Sequence, residues 1–462
     1  MSRKAGRTIP GVIFLLGLLF LGGAAWGNVP GGGNGTGPPA TLVNNGDGTV
    51  TMGNGIVAIV CNTTSAILSQ INYTYNNSGV TVTNQLLNGG KDGGEFYWYT
   101  GGFGTGNYNY SVVEKNDNYC ELDLSSVSTT NGVMDVHYSM LRGSPGFYAA
   151  MIWSHRNGDV AMSMSQAWDN IYLSSEFNWN SVDAARNFQY NVGAASQYEV
   201  GAAVPAPVVP VYNAPVEVVL WTNGIAQGRY EDKYKYCADW GTERVWGWSS
   251  VSNAAAGFTG QNIGIWTVLA SAEFYNGGPM KRELMDAPML NLLYGSHFGM
   301  GNDGNFGSNE PWTKVSGPYF IYCNNVTNAL TNACQTAQAL FADAQAQAAA
   351  EQSAWPYSWF TNANYAPASG RGTVSGQLVI NDIYNPGTTA SNLWVGVVQQ
   401  PVTTDDVYDF QEWMKPYQFW AETDSNGNFT IPNVIAGSNY TLYAFGQGAA
   451  GTFMSQNPEL LT

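Results

Sequence analysis

From about Ala40 to Asn325 the chain alternates short apolar segments with turn residues, a pattern that favours β-structure over any other. Thr49 to Cys61 sets apolar residues between polar ones and breaks at Asn54-Gly55, a pair suited to a tight turn. Val133 to Ser139, Phe147 to Trp153, Val216 to Trp221 and Gly264 to Ala270 are further short apolar segments. The 55 glycines, 27 tyrosines and 16 tryptophans suit many strands and tight turns, and leave aromatic side chains over for a ligand surface. Roughly 290 residues of this kind predict one large sandwich of antiparallel sheets.

The pattern then changes twice. Asn328 to Ala354 is dense in Ala and Gln, with Leu330, Ala337, Leu340 and Ala344 near helical spacing, and predicts a helix ended before Trp355-Pro356. Its expected role is a strap packed on the sandwich. Gly370 to Gly446 returns to strand patterning: Thr373 to Ile380 alternates, Asp424-Ser425-Asn426-Gly427 reads as a hairpin turn, and Asn439 to Ala444 gives another strand. About 80 residues suit a small fibronectin-type sandwich. The Asp/Asn/Gly loop lacks the twelfth-position Glu of an EF-hand, so a turn is the expected reading. The resulting division is a signal peptide at 1–27, a Gly/Pro-rich linker at 28–39, a large β-sandwich at 40–327, the helix and connection at 328–369, the small β domain at 370–450, and at 451–462 what is expected to be the start of a missing or truncated C-terminal region. Ser2-Arg3-Lys4 and the apolar Val12 to Leu21 carry the signal reading, since that apolar run is shorter than a membrane span. A secreted protein follows, extracellular or periplasmic, with no membrane contact after signal removal.

Charge narrows the partners. Only 11% of residues are charged and the net charge is -16, which argues against nucleic acid and against an anionic membrane surface. An acidic ligand would therefore require a local positive focus. Lys233 and Lys235 supply one in Asp232-Lys233-Tyr234-Lys235-Tyr236, and His297 follows in Leu293-Tyr294-Gly295-Ser296-His297. Trp240, Trp246, Trp248, Trp266, Phe274 and Tyr275 lie between them. Taken singly, the lysines suit a solvated edge strand, the histidine a satisfied core or loop position, and the tryptophans a core. His137, in an alternating strand, and His155, near a turn, are expected to be structural. The five cysteines, Cys61, Cys120, Cys237, Cys323 and Cys334, match no zinc or redox spacing, and Cys323 and Cys334 are expected to approach where a strand passes into the helix.

Several blocks in order carry a resemblance. They are Asn54-Gly55-Ile56-Val57, Arg142-Gly143-Ser144-Pro145-Gly146-Phe147-Tyr148, Asp232 to Tyr236, Val245-Trp246-Gly247-Trp248 and Glu273-Phe274-Tyr275-Asn276-Gly277-Gly278-Pro279. Ser296-His297, Glu310 to Pro318, Trp355-Pro356-Tyr357-Ser358, Arg371 to Gly376 and Tyr417-Gln418-Phe419-Trp420 continue the series. Together they resemble rhamnogalacturonan lyase, polysaccharide lyase family 4. The resemblance implies a galactose-mutarotase-like super-sandwich, then a fibronectin type III-like sandwich, and in the family a third carbohydrate-binding-like sandwich, which is expected to be absent here. It implies a catalytic Lys and His at Lys233 and His297, with Lys235 one strand step from Lys233. Tyr294 falls on the family's tyrosine before the histidine. The family's carboxylate-binding arginine has no direct counterpart in Ser163 to Trp168, which leaves Arg142, Arg156 or Lys235 for that role. Trp248 and Glu310 complete the candidate substrate contacts.

β-Elimination from a uronic-acid polymer needs its carboxylate neutralised, the C5 proton removed and the C4 oxygen protonated or stabilised. Lys233 serves as base only if its pKa falls from about 10.4, and Lys235, two residues along a strand, supplies a like charge on the same side. His297, ordinarily near pH 6.5, suits the complementary acid or base role. Which of the two takes the proton stays open. The expected activity is a rhamnogalacturonan I endolyase leaving an unsaturated galacturonate, monomeric, without an organic cofactor and with room for structural calcium. Two alternatives stand beside it: a pectin-binding protein that has lost its chemistry, and a glycoside hydrolase using Glu273, Glu310 or Asp239.

Overall fold

The computed structural model describes residues 36–462 apart from 89–95, most of 183–243, 253–258, much of 276–303, 328–331, 400–413 save Phe410, and several shorter stretches. The signal segment, the first part of the linker, Lys233, Cys237 and His297 lie outside the described residues. The chain is mainly β, with one long helix and several antiparallel sheets among the described residues.

Two large sheets dominate. One runs in the order Thr41–Asn44, Thr49–Gly53, Val57–Asn62, Leu68–Asn77, Phe96–Tyr99, Gln166–Ile171, Leu290–Gly295, with Val80–Gln85 paired to Leu68–Asn77. The other is nine-stranded and centres on Gly146–His155, Trp312–Asn325 and Ile263–Val268. Alternating side chains of both close over one core: Val50, Ile59 and Leu68 from the first meet Met134, Val136, Met151 and Ile265 from the second. The expected Thr49 to Cys61 hairpin is present as Thr49–Gly53 and Val57–Asn62. Asn54 locks its turn: the buried side chain donates to Leu141 O at 2.8 Å and Ser144 O at 2.7 Å, and accepts from the amides of Ile56 and Val57. Gly55 has φ 76°, and a Cβ there would lie 2.6 Å from Pro38 Cγ, so only glycine fits without displacement.

The helix, here α1, spans Ala333–Ala354. Its start is set by Asn332, whose side chain accepts from Gln335 N at 2.9 Å, while the 328–331 portion of the expected helix lies outside the described residues. Ala337, Leu340, Phe341, Ala344 and Ala348 pack on the outer face of the nine-stranded sheet with Tyr148, Trp266 and Phe320, forming a second core. Glu351 is buried in this layer and accepts from the hydroxyls of Tyr148 and Tyr357 and from Gln347 Nε2 at 2.8 Å. Burial holds its carboxyl above the usual range, and those three donors only partly offset it.

Cys323 and Cys334 are both free thiols, contrary to the expected approach. Cys323 is enclosed mid-strand in Trp312–Asn325, and Cys334 is exposed on the first turn of α1. Cys61 and Cys120 are also buried and free.

Arg371–Gln377 pairs with Asn428–Ile435, and a five-stranded sheet is built from Trp394–Gln399, Gln418–Glu422, Asn439–Phe445 and two short terminal strands. Val395, Val397, Phe419, Ile431 and Tyr440 form the core between them. The Asp424 loop is a turn: Asp424 Oδ1 accepts from the amides of Asn426 and Asn428, each at 2.8 Å. This second body is fastened to the first by buried polar contacts. Arg371 donates to both carboxylate oxygens of Glu273 at 2.8 Å, and Gln418 N donates to Glu273 O at 3.0 Å.

Candidate active site

Of the lysine and histidine segments, the described residues include Lys235 and the strand that precedes His297 in the sequence. Leu290–Gly295 is the last strand in the order of the first large sheet, and His297 follows two residues after it. Lys235 and Tyr236 pair with Glu283 and Arg282, so the lysine segment lies against residues just upstream of that edge strand. Asp232 pairs with Val218 in a separate three-stranded ladder.

Tyr294 is the buried anchor of this edge. Its hydroxyl accepts from Gly304 N at 3.1 Å, and only 3% of the residue is exposed. Gly304 also accepts from Met164 N at 2.8 Å, and a Cβ at Gly304 would fall 2.1 Å from Met164 O. The lack of a side chain is thus what lets Gly304 press onto Met164, within the Ser163 to Trp168 segment that has no counterpart to the family's arginine. Trp153, Met164, Tyr294, Lys314, Ser316 and Met414 enclose a small cavity beside it.

Aromatic rings extend the region. Phe306 packs against His155, Phe103 and Trp312 at centroid separations of 5.0 to 5.4 Å. His155 is held by two carbonyls, Glu310 O at 2.6 Å from Nδ1 and Val160 O at 2.9 Å from Nε2. This satisfied, buried histidine has the structural character expected for it, and so does His137. Burial would lower the His137 imidazole, but the hydrogen bond and charge of Glu121 at 2.6 Å outweigh it, and the group is held above its ordinary value.

Glu310 lies at the junction with the second body. Its carboxylate accepts from Lys415 Nζ at 2.6 Å and from Gly307 N at 2.7 Å. Burial pushes this carboxyl up, but the Lys415 and Gly307 contacts carry it below its usual range. Lys314 is buried and donates to the carbonyls of Met414 and, at 2.8 Å, Pro416, while Trp312 Nε1 donates to Lys415 O at 3.0 Å. Met414, whose carbonyl Lys314 holds, thereby joins the wall of the Tyr294 cavity.

The other expected contacts are spread apart. Arg142 follows the strand Val133–Leu141, where Nε donates to Gly37 O at 2.9 Å. It adjoins the Gly146 end of strand Gly146–His155, whereas Glu310 adjoins the His155 end, nine residue steps or roughly 30 Å away. Arg156 is at the His155 end and is paired with Asp159 at 2.7 Å. Trp248 is fully buried in the strand Val245–Ser250, inside the main core. Glu273 is bound by Arg371, as described above.

One polar group was not anticipated from the chain. Asp169 is fully buried in Gln166–Ile171 and accepts from Asn291 Nδ2 at 2.9 Å and from the Tyr319 hydroxyl on the opposing sheet. Asn291 in turn accepts from Tyr275. Burial pushes the Asp169 carboxyl up to about 7, against the opposing pull of Tyr319 and Asn291. The signal was present: in Ala167, Asp169, Ile171 the inward positions alternate, and a carboxylate sits among apolar ones. Among the described residues, no group of three or more His, Cys, Asp or Glu is placed to hold a metal ion, and no helix is long and apolar enough to cross a membrane.

Comparison with known proteins adds to this geometry. Residues 389–458 match the family described as polysaccharide lyase family 4, domain II. The chain is 26% identical over 333 residues to a rhamnogalacturonate lyase of Dickeya dadantii, covering 71% of this chain and 48% of that protein. It is 28% identical over 240 residues to a probable rhamnogalacturonate lyase C of Emericella nidulans, covering 50% of this chain and 21% of the relative. A probable rhamnogalacturonate lyase B of Aspergillus terreus is 24% identical over 231 residues, 49% of this chain and 31% of the relative. The chain thus spans about half the length, or less, of these curated relatives.

Proposed function

We propose, from the family-level match to polysaccharide lyase family 4 and its rhamnogalacturonate lyases, that this chain cleaves the rhamnose–galacturonate backbone of rhamnogalacturonan I by β-elimination. The observation that carries the reading is that match, and the residues beside it agree in type: Lys235 pairs with Glu283, and the strand Leu290–Gly295, which carries Tyr294, precedes His297 in the sequence. Two lysines and a histidine supply the positive charge and the proton-transfer groups that elimination from a uronate requires.

In this mechanism Lys235 meets the substrate carboxylate and lowers the cost of charge developing at C5. Lys233 and His297 divide the proton transfers, one taking the C5 proton and the other protonating the departing C4 oxygen. The positive neighbour disfavours a proton on Lys233 and so favours its basic form. Tyr294, buried and tied to Gly304, holds the strand Leu290–Gly295, which His297 follows in the sequence. The C4–O bond breaks as the C4–C5 double bond forms, so each cut leaves one unsaturated galacturonate and consumes no water.

The glycoside-hydrolase alternative loses support at Glu273 and Glu310. Both are engaged by cations from the second body, Arg371 and Lys415, and act as structural anions there. Mass spectrometry of the products separates the two chemistries. Elimination predicts fragments whose masses sum to that of the starting oligosaccharide, whereas fragments that together gain one water would overturn it.

A further inference from the structure

We propose a further saccharide site, whose described lining includes none of Lys233, Lys235, Tyr294 or His297, in the cleft between the two bodies; the identity of its ligand rests on the pectic-substrate reading above. The cleft has a volume of about 190 Å³, several times the roughly 30 Å³ that one water occupies in the liquid. Its walls come from both bodies. The end of α1 contributes Gln352, and Trp355 follows directly; Arg244 and Ser271 come from the first body, and Trp420 and Asn433 from the second.

The lining has the chemistry of a sugar site. Trp355 and Trp420 are of the ring type that meets the C–H side of a pyranose, and Arg244, Gln352 and Asn433 are of the polar type that meets its oxygens, while the third carboxamide, Gln418, donates to Phe410 O and accepts from Trp420 Nε1. Among the described lining residues the one carboxylate, Glu273, is already neutralised by two 2.8 Å bonds from Arg371, so it does not repel an anion. The indole Nε1 of Trp355 is buried and has no hydrogen-bond acceptor, although this donor belongs to a residue that lines the cleft. Gln352 is exposed at the rim, and Arg244 and Asn433 are half-buried, so the cleft is open to an entering chain. These groups favour a ligand that carries both hydroxyls and a carboxylate, namely a uronate-containing oligosaccharide. Such a site would hold the polymer on the chain and raise its local concentration at the reacting groups.

The test uses the full chain carrying Lys233→Ala, titrated calorimetrically with rhamnogalacturonan I oligosaccharides. Two binding events per chain are expected. Adding Gln352→Trp, which fills the cleft from an exposed helix position, removes one of them. Asn433→Gly keeps the left-handed backbone of Asn433 (φ 59°) and strips its amide, and it weakens the same event about tenfold. With Lys233 intact, both changes slow cleavage of the polymer several-fold and leave short oligosaccharides unaffected. Melting temperatures report folding, and if Gln352→Trp unfolds the chain, Asn433→Gly decides. A single binding event, or two that neither variant alters, would overturn the cleft site. A chain that forms no unsaturated product but loses one binding event with Gln352→Trp would keep the cleft and remove the lyase reading.

Discussion

Arg371 and Glu273 join the two bodies through a paired ion bridge, two donor–acceptor distances of 2.8 Å between side chains only 2% and 5% exposed. Arg371 also lies 5.5 Å from the ring centroid of Trp355 and donates to Asn433 O at 2.8 Å. Removing one partner strands a buried charge, so Arg371→Ala is expected to cost about 3–5 kcal/mol. Because Glu273 would be left uncompensated, Arg371→Ala combined with Glu273→Gln should recover part of that loss. Denaturant unfolding of the single and double variants measures the recovery, and additive losses would show that the two side chains act independently.

Asp169 predicts a pH-dependent stability. Its carboxyl is raised to about 7 in the folded chain from the ordinary 3.8, so the folded state retains a proton that the unfolded state has released. Stability from this group is fully present below about pH 4, is lost as pH rises to about 7, and is flat beyond, a total of roughly 4 kcal/mol. Asp169→Asn keeps an oxygen for Asn291 and Tyr319 and places an NH₂ at the oxygen that has no partner. Melting curves of the variant should show a shallower decline between pH 4 and 7, because the raised carboxyls of Glu351, Asp123 and Glu176 still contribute, and should lie above the parent near neutrality. The raised His137 contributes a separate loss that begins above its ordinary value near 6.5, so it leaves most of the Asp169 window clear.

Trp248 predicts an effect on folding. It is fully enclosed in the main core, and Trp248→Ala should cost about 3–5 kcal/mol through the cavity it leaves. Chemical denaturation reads the loss directly. An unchanged midpoint with weakened substrate binding would instead place the indole at the ligand.

Cys334 and Cys323 predict different reactivity. Cys334 is exposed on α1, while Cys323 is enclosed in the sheet, where burial drives its thiol well above the ordinary range. An alkylating reagent applied to the native chain should label Cys334 within minutes and leave Cys323 unlabelled until denaturation, as peptide mass mapping would show. Rapid labelling of both would contradict the enclosed position of Cys323.

The strands were legible because turn residues and alternation are local signals: Asn54-Gly55 marked its hairpin, and Val133 to Ser139 and Phe147 to Trp153 lie within the strands Val133–Leu141 and Gly146–His155. The thiol pairing of Cys323 and Cys334 was not, because separation along the chain carries no information on which face a residue occupies. The same limit hid the roles of Glu310 and Glu273. Their partners, Lys415 and Arg371, lie 105 and 98 residues away, and only docking of the second body reveals the contacts. Arg142 and Glu310 looked alike as candidate contacts, yet strand direction sets them at opposite ends of Gly146–His155. Lys233 and His297 were singled out on resemblance and chemistry, and both lie outside the described residues.

The most direct test incubates the full chain with rhamnogalacturonan I and follows ultraviolet absorbance of the conjugated unsaturated uronate, beside Lys233→Ala and His297→Ala. Loss of a proton-transfer group is expected to slow the rate by about 10²–10⁴-fold in each variant. A rise with the parent chain that disappears in both variants is the predicted result. New reducing ends without absorbance, or a rise that persists in both variants, would contradict elimination by this pair.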